Sequence, residues 1–133
     1  MRRAVFLACA LLVAACGADV GRYAPPDQHW HEWTVHVESR PAPLQRGMNE
    51  FWVVISDRHG VRPKEGMLVR IRTPESDWIQ AIPDGGTGVY RRSAPVADPE
   101  HARLFVRIRE EGGKGREGEL SFDFPPQHPA SSN

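Results

Sequence analysis

Alternation of apolar and polar side chains is the dominant pattern between residues 29 and 124. Successive side chains of a β-strand point to opposite faces, so a run with period two predicts a strand with one buried and one solvated face. Five runs show the pattern clearly: 33–38, 51–56, 67–72, 104–109 and 120–124. Two weaker runs, 77–82 ended by Pro83 and 88–94 ended by Pro95, bring the expected number of strands to seven.

Turn-forming sequences separate nearly all of these runs, at 57–60, 83–86, 98–99 and 112–113. They are built from Gly, Pro and Asp, which favour turns because of their backbone geometry or their side-chain hydrogen bonds. No window of ten or more residues shows a helical stripe. The pattern predicts an all-β domain, an antiparallel β-sandwich of about seven strands. A small barrel would give the same pattern and remains the alternative.

The N-terminus has the layout of an export signal. Arg2 and Arg3 precede an unbroken apolar run, 4–13, which is followed by two small residues and Cys16. The run is shorter than the roughly 20 residues of a membrane-spanning helix, and its proportions are those of a signal peptide. Residues 12–16, Leu-Val-Ala-Ala-Cys, resemble the lipobox of bacterial lipoproteins. That resemblance implies cleavage of a signal peptide at 1–15 and lipidation of Cys16. The alternative is an ordinary secretory signal with Cys16 nearby by chance.

The residue after Cys16 is Gly17. In lipoproteins of Gram-negative bacteria, an aspartate at this place typically retains the protein in the inner membrane. The resemblance therefore implies a lipid-anchored protein of the outer membrane that faces the periplasm.

Charge and cysteine content limit the function classes. The chain has 17 basic and 17 acidic residues, and loss of Arg2 and Arg3 with the signal leaves 15 against 17, a net charge of −2. Nucleic-acid-binding domains usually show a clustered positive excess, so we expect no nucleic-acid partner. Membrane attachment is expected from acyl chains rather than from a polybasic surface. The two cysteines are Cys9 and Cys16, so the mature domain has no disulfide and relies on its apolar core.

The mature chain divides into three predicted parts. Residues 16–28 have few large apolar side chains and contain Pro25-Pro26, which predicts a lipidated tether. Residues 29–124 form the sandwich. Residues 125–133, rich in Pro and Ser, are expected to be a disordered tail.

A series of turn and strand sequences resembles the YtkA-like domain family and, more distantly, FixH-type and CopC-type periplasmic domains. They are Gly47-Met48-Asn49, Asp57-Arg58-His59-Gly60, Gly66-Met67, Gly88-Val89-Tyr90 and the closing apolar strand 104–108. The resemblance implies an immunoglobulin-like sandwich in an exported protein without an established enzymatic role, and some neighbouring families handle copper. Family members often carry Met and His in the loop after the second strand, but 73–79 has neither. No functional residue is therefore carried over.

His29 and His31 are the candidate metal ligands. On an extended strand, residues two apart lie on one face, about 6.5–7 Å apart, and imidazole suits copper(II), zinc and nickel. With Glu32 they would make an incomplete site. The alternative is that both are exposed histidines at a strand edge, beside the tryptophans that anchor the sandwich.

Arginines make the outer faces of two predicted strands basic: Arg70 and Arg72 on one, Arg107 and Arg109 on the other. They are expected either to pair with acidic residues on neighbouring strands, or to form a docking face for an acidic partner, a glycan or a lipid headgroup.

Catalysis is not expected. No serine has a recognisable nucleophile motif around it, and the glycine-rich segment 84–88 leads into a strand rather than the helix that a phosphate-binding loop requires. We therefore expect neither enzyme activity nor a cofactor. Two functions remain: a non-catalytic interaction module that docks an envelope protein, or a copper-handling accessory protein. Exposed tryptophan is enriched at binding hot spots, although the four tryptophans could equally pack in the core or at strand edges.

Overall fold

The structure, a computed structural model, describes residues 20–126. The predicted signal peptide (1–15), the predicted lipidation site Cys16 and most of the predicted tail (125–133) lie outside the described residues. Within the described part, no helix has the length and apolar character needed to cross a membrane.

Strands are the main secondary structure of residues 20–126. In chain order they are β1 (Gln28–Trp30), β2 (Trp33–Arg40), β3 (Gly47–Asp57), β4 (Met67–Arg72), β5 (Ile79–Gln80), β6 (Ile82–Pro83), β7 (Val89–Val96), β8 (Arg103–Glu110) and β9 (Glu117–Asp123). Short 3₁₀ turns at Val20–Tyr23, Gly85–Thr87 and Pro99–His101 accompany them.

Two antiparallel sheets pack face to face. The first has the strand order β1-β2-β3-β7-β6 and the second the order β5-β4-β8-β9. The orders β2-β3-β7-β6 and β4-β8-β9 are those of the A-B-E-D and C-F-G sheets of an immunoglobulin constant-type domain. The predicted all-β, immunoglobulin-like antiparallel β-sandwich is confirmed. It has nine strands in place of about seven, because the run 77–82 divides into β5 and β6 and the short β1 is additional.

The core follows the predicted alternation. Alternate residues of the long strands are buried, including Phe51, Ile55, Ile71, Leu104 and Phe122. Complete burial of such a side chain stabilises the fold by about 1.5–3 kcal/mol. These residues fill the space between the two sheets, so the polar residues that alternate with them lie on the two outer faces. The alternation is broken in β7 by exposed Arg92 and weakened in β9, where Gly118 and Leu120 are half-buried.

The weak run 77–82 is not one strand. Its residues Ile79–Gln80 pair with β4 in the second sheet, whereas Ile82–Pro83 pair with β7 in the first. Between them, buried Ala81 donates its N–H to the carbonyl oxygen of Val69 at 2.8 Å. The chain therefore crosses from one sheet to the other at a small residue.

The predicted run 88–94 extends through Pro95 as β7. Proline lacks an N–H and is tolerated in a sheet only where no neighbour requires one. Pro95 meets this condition because β6 pairs only with Tyr90 and Arg91 and ends before it.

The predicted tether is wrong for residues 20–28. The 3₁₀ turn Val20–Tyr23 contacts β2, Pro25 is buried, and Gln28 already belongs to β1. Asp27 is bound to His36 of β2. A buried proline, an ion pair and a strand ladder hold this segment on the sandwich, so the folded domain begins before the predicted start at His29.

Candidate functional site

The outer surface of the second sheet carries a cluster of arginines. We name the surface formed by Arg70 and Arg72 of β4 and by Arg107 and Arg109 of β8 the arginine face. These residues alternate with fully buried Val69, Ile71, Val106 and Ile108. The alternation that buries the apolar residues therefore places the four arginines on the outer side, as the sequence predicts.

The strand register brings arginines directly opposite one another. Arg70 pairs with Arg107, and Leu68 pairs with Arg109. Directly opposed residues in an antiparallel pair have Cβ atoms about 4.5–5.5 Å apart, and like charges at this distance are destabilising. Arg109 lies two residues further along β8 than Arg107, which is about 6.5–7 Å. Three guanidinium groups thus share one small area.

Ion pairs satisfy only part of this face. Arg107 donates to Glu119 of β9 at 3.1 Å. Glu117 lies opposite Arg109 in the register without forming an ion pair with it. Among the described residues, Arg70, Arg72 and Arg109 have no carboxylate partner. The predicted pairing with carboxylates of a neighbouring strand therefore holds for Arg107 and fails for the other three arginines.

Aromatic rings contact two of the four guanidinium groups, those of Arg72 and Arg107. The ring of Trp78 lies 4.1 Å from the guanidinium carbon of Arg107 and 5.3 Å from that of Arg72. Arg72 also lies over Phe105, at 4.3 Å. Each such contact contributes about 0.5–1 kcal/mol at exposed sites. The rings restrict the motion of Arg72 and Arg107, so the face is partly ordered before any ligand binds.

A shallow depression lies at the centre of the arginine face. It has a volume of about 40 Å³ and is lined by Leu68, Arg70, Arg107, Arg109 and Glu117. A cavity needs about 10–15 Å³ of volume on this measure to hold one water molecule. The depression therefore has room for a group of a few non-hydrogen atoms, and three of its five lining side chains are cations.

A second surface was not predicted. A depression of about 440 Å³ near β6 is lined by residues that include Met48, Ile82 and Pro83. Met48 is 56% exposed and Ile82 is 59% exposed, which makes them two of the three large apolar side chains exposed in the described chain. The feature exists because β6 is only two residues long, and nothing in the alternation of the run 77–82 indicates that length.

None of the four tryptophans is a freely exposed hot spot. Trp30 is buried and Trp33 packs against the core. Trp52 lies on the outer face of the first sheet, where its indole N–H donates to the Glu50 carboxylate at 2.7 Å. Two arginines flank its ring. Two arginines likewise flank the ring of Trp78 on the second sheet. The expectation that the tryptophans pack in the core or at strands describes them better than the hot-spot hypothesis.

The two candidate metal ligands do not share a strand face. β1 ends at Trp30, and His31 begins the two-residue turn to β2 with a φ of +55°. Its ring makes an edge contact with Trp30 at 4.7 Å, whereas the Nδ1 atom of His29 faces the hydroxyl of Thr34 at 3.3 Å. The predicted extended arrangement of His29 and His31 is wrong because the strand ends between them. No group of three or more His, Cys, Asp or Glu residues suited to a metal ion occurs within residues 20–126.

Comparison with known proteins gives no relative. No protein-family model, no curated protein and no solved structure matches the chain. The resemblance to the YtkA-like family therefore stays a prediction, and the functional conclusion depends on the surfaces described above.

Proposed function

We propose that this protein is a lipid-anchored, non-catalytic envelope protein whose immunoglobulin-like domain is an interaction module, with the arginine face as its contact surface for an anionic partner. The observation that carries the proposal is the pair Arg70 and Arg109, which have no carboxylate partner among the described residues. The partner would supply the anions that the domain itself does not place there.

The charge balance of the chain supports this assignment. Acidic residues equal basic ones in number, 17 of each, so the sequence has carboxylates enough to pair every arginine on this face. Instead, two arginines are directly opposed across β4 and β8, at a cost in stability. A cost of this kind is repaid when an anionic surface binds, because guanidinium groups form bidentate hydrogen bonds with carboxylates and phosphates.

The composition of the face supports binding rather than catalysis. Guanidinium groups stay protonated near neutral pH and only donate hydrogen bonds. The other side chains beside them are Leu68, Trp78, Phe105 and the carboxylates of Glu117 and Glu119. The arginines can therefore bind and orient an anion, but they supply neither a nucleophile nor a proton acceptor.

The membrane anchor is the second part of the proposal. It is supported by the lipobox-like residues 12–16, and Gly17 after Cys16 supports the outer membrane as its location. The strand order agrees with the fold that the YtkA-like resemblance implies, and we propose membership of that family on this ground. Cys16→Ser should abolish incorporation of labelled palmitate and release the protein from the membrane fraction. Retention of the label in this variant would contradict the anchor.

Site-specific photo-crosslinking in the anchored full-length chain tests the contact surface. Gln80 is exposed and lies opposite Arg70 in the register, so a photoreactive residue there reports on the arginine face. His59, in the exposed turn after β3, gives the matched control position. We expect a discrete crosslinked species from position 80 that is lost in the Arg70→Glu, Arg109→Glu double variant. Equal crosslinking from position 59, or an undiminished product in the double variant, would contradict the proposal.

A further inference from the structure

We infer that Arg70, Arg107 and Arg109 form a binding site for one phosphate group, and that this phosphate belongs to the headgroup of an anionic lipid. The inference rests on the proposed interaction module and narrows its anionic partner to a membrane surface. It is carried by the three arginines around the small depression at the centre of the arginine face.

The geometry of the three arginines suits a tetrahedral anion. A carboxylate is planar, and a single guanidinium can satisfy both of its oxygens. A phosphate presents oxygens in several directions and can accept from several guanidinium groups at once. Arg70 approaches the depression from β4, and Arg107 and Arg109 approach it from β8. A volume of about 40 Å³ can receive one such group.

Donors remain available after the internal contacts are made. Each guanidinium has five N–H donors. Arg107 uses its Nη2 atom for Glu119 and is held against Trp78, while the side chains of Arg70 and Arg109 make no hydrogen bond to another described residue. One arginine is thus fixed in place, and two are free to close on the ligand.

Glu117 opposes an anion at this site. Its residue lines the depression together with the three arginines, and its carboxylate forms no ion pair with Arg109. The side chains that line the depression carry a net charge of +2, from three arginines and one glutamate, and Glu119 offsets one further positive charge through its ion pair with Arg107. Glu117→Gln removes this negative charge at the depression and should therefore strengthen phosphate binding.

The short connection to the anchor favours a lipid over free phosphate. Tyr23 is half-buried and Pro25 is buried against the sandwich, so seven residue steps separate the proposed anchor Cys16 from the first residue that packs on the domain. Seven residues span at most about 25 Å. The domain would therefore remain close to the bilayer surface, where the effective concentration of lipid headgroups is high. At such a concentration, a shallow site that binds only one anion can be occupied.

Vesicle flotation tests the inference with the proposed mature chain, residues 16–133, carrying Cys16→Ser, so that neither the apolar leader nor an acyl group contributes to binding. The probes are vesicles of phosphatidylglycerol and phosphatidylcholine in equal parts, and vesicles of phosphatidylcholine alone. Arg70→Gln with Arg109→Gln should weaken binding to the anionic vesicles by about 10- to 30-fold, and Glu117→Gln should strengthen it severalfold. Arg58→Gln with Arg62→Gln, exposed arginines outside the face, removes the same charge and should have little effect.

The outcomes separate the sources of phosphate and separate this inference from the proposed function. Equal loss in the control variant would mean general attraction to the membrane and would overturn the site. Perturbation of the three arginine resonances by inorganic phosphate, without preference for anionic vesicles, would overturn the lipid as its source. A crosslink from position 80 that depends on Arg70 and Arg109, with neither phosphate nor vesicle binding, would overturn the inference while leaving the interaction module intact.

Discussion

The indole ring of Trp30 lies directly against the α-carbon of Gly118, where a β-carbon would collide with the ring. Trp30 ends β1 of the first sheet, and Gly118 lies in β9 of the second. Beside them, the Gln28 side chain donates to the carbonyl oxygen of Ser121 at 2.6 Å. The short first strand thus closes one edge of the sandwich by contacts with the opposite sheet.

Gly118→Ala should therefore destabilise the domain. The added methyl group meets a rigid, buried ring, and overpacking of this kind costs about 1–3 kcal/mol in the free energy of unfolding. Denaturant unfolding monitored by tryptophan fluorescence measures the effect. In a chain that already carries Trp30→Ala, the same glycine substitution should cost much less, because the collision is gone. Equal costs in both backgrounds would contradict the contact.

Tyr90→Phe should destabilise the domain without changing its packing. The hydroxyl of Tyr90 accepts from the N–H of Met67 at 3.3 Å and donates to the carbonyl oxygen of Lys64 at 3.0 Å. Its loss leaves buried polar groups unpaired, which costs about 1–3 kcal/mol. Thermal or denaturant unfolding measures the change. Tyr23→Phe, which removes a hydroxyl from the half-buried Tyr23, is the control and should leave the stability nearly unchanged.

Glu32 should make stability depend on acidic pH. Its carboxylate accepts from both terminal nitrogens of Arg116, at 2.7 and 3.0 Å, and this hydrogen bonding lowers the pKa of Glu32 from 4.5 to about 2. Because the folded-state pKa lies below the unfolded value, the stabilisation is present above pH 4.5 and is lost as the pH falls towards 2.

The comparison of wild type with Glu32→Gln measures this contribution. The wild type should lose stability more steeply than the variant below pH 4.5, as followed by unfolding at a series of pH values. Glu75→Gln, at an exposed position, is the control and should follow the wild type. Parallel curves for the wild type and Glu32→Gln would exclude the contribution.

The strong periodic runs were predictable because alternation in a sequence reports burial directly. β2, β3, β4, β8 and β9 correspond to the five clear runs. The crossing at Ala81 and the three-residue β1 were not predictable, since neither is long enough to show a period. The packing of residues 20–28 was missed because it depends on single contacts, such as that of Asp27 with His36, which have no local pattern.

In the candidate site, too, one part was predictable from the sequence and another was not. The outward position of Arg70, Arg72, Arg107 and Arg109 follows from the period of two. Whether an arginine pairs with a carboxylate depends on the register between strands, which the sequence does not show. Arg107 pairs with Glu119, whereas Arg109 does not pair with Glu117. The positions of His29 and His31 were predicted wrongly because the chain reverses at His31, which has a positive φ that is uncommon for any residue but glycine.

Copper binding should show no cooperation between His29 and His31. The two rings have different neighbours, Thr34 for His29 and Trp30 for His31. His29→Ala and His31→Ala should therefore have independent, additive effects on any copper affinity measured by calorimetric titration, because residues without a shared ligand do not couple. A large coupling between the two substitutions would support the alternative function in copper handling.

His36 should attach the N-terminal segment to the sandwich in a pH-dependent way. Its Nδ1 atom lies 2.5 Å from the Asp27 carboxylate and its Nε2 atom lies 3.1 Å from that of Glu38. Burial lowers the pKa of His36, but the hydrogen bonds with the two carboxylates outweigh it and raise the pKa above 6.5. The stabilisation is thus fully present below pH 6.5 and is lost as the pH rises through the raised value.

Titration of the histidine resonances by NMR checks this attachment. His36 should titrate above pH 6.5 in the wild type, and Asp27→Asn should lower its pKa. The same substitution should not change His101, whose pKa is raised by its own partner Asp98. Amide exchange of residues 20–28 should accelerate as His36 loses its proton, because the segment then loses the charged part of its contact with β2. Two results would show that Pro25 and β1 hold the segment without this ion pair. One is amide exchange that changes with pH only as much as the intrinsic exchange rate does. The other is a pKa of His36 that Asp27→Asn does not change.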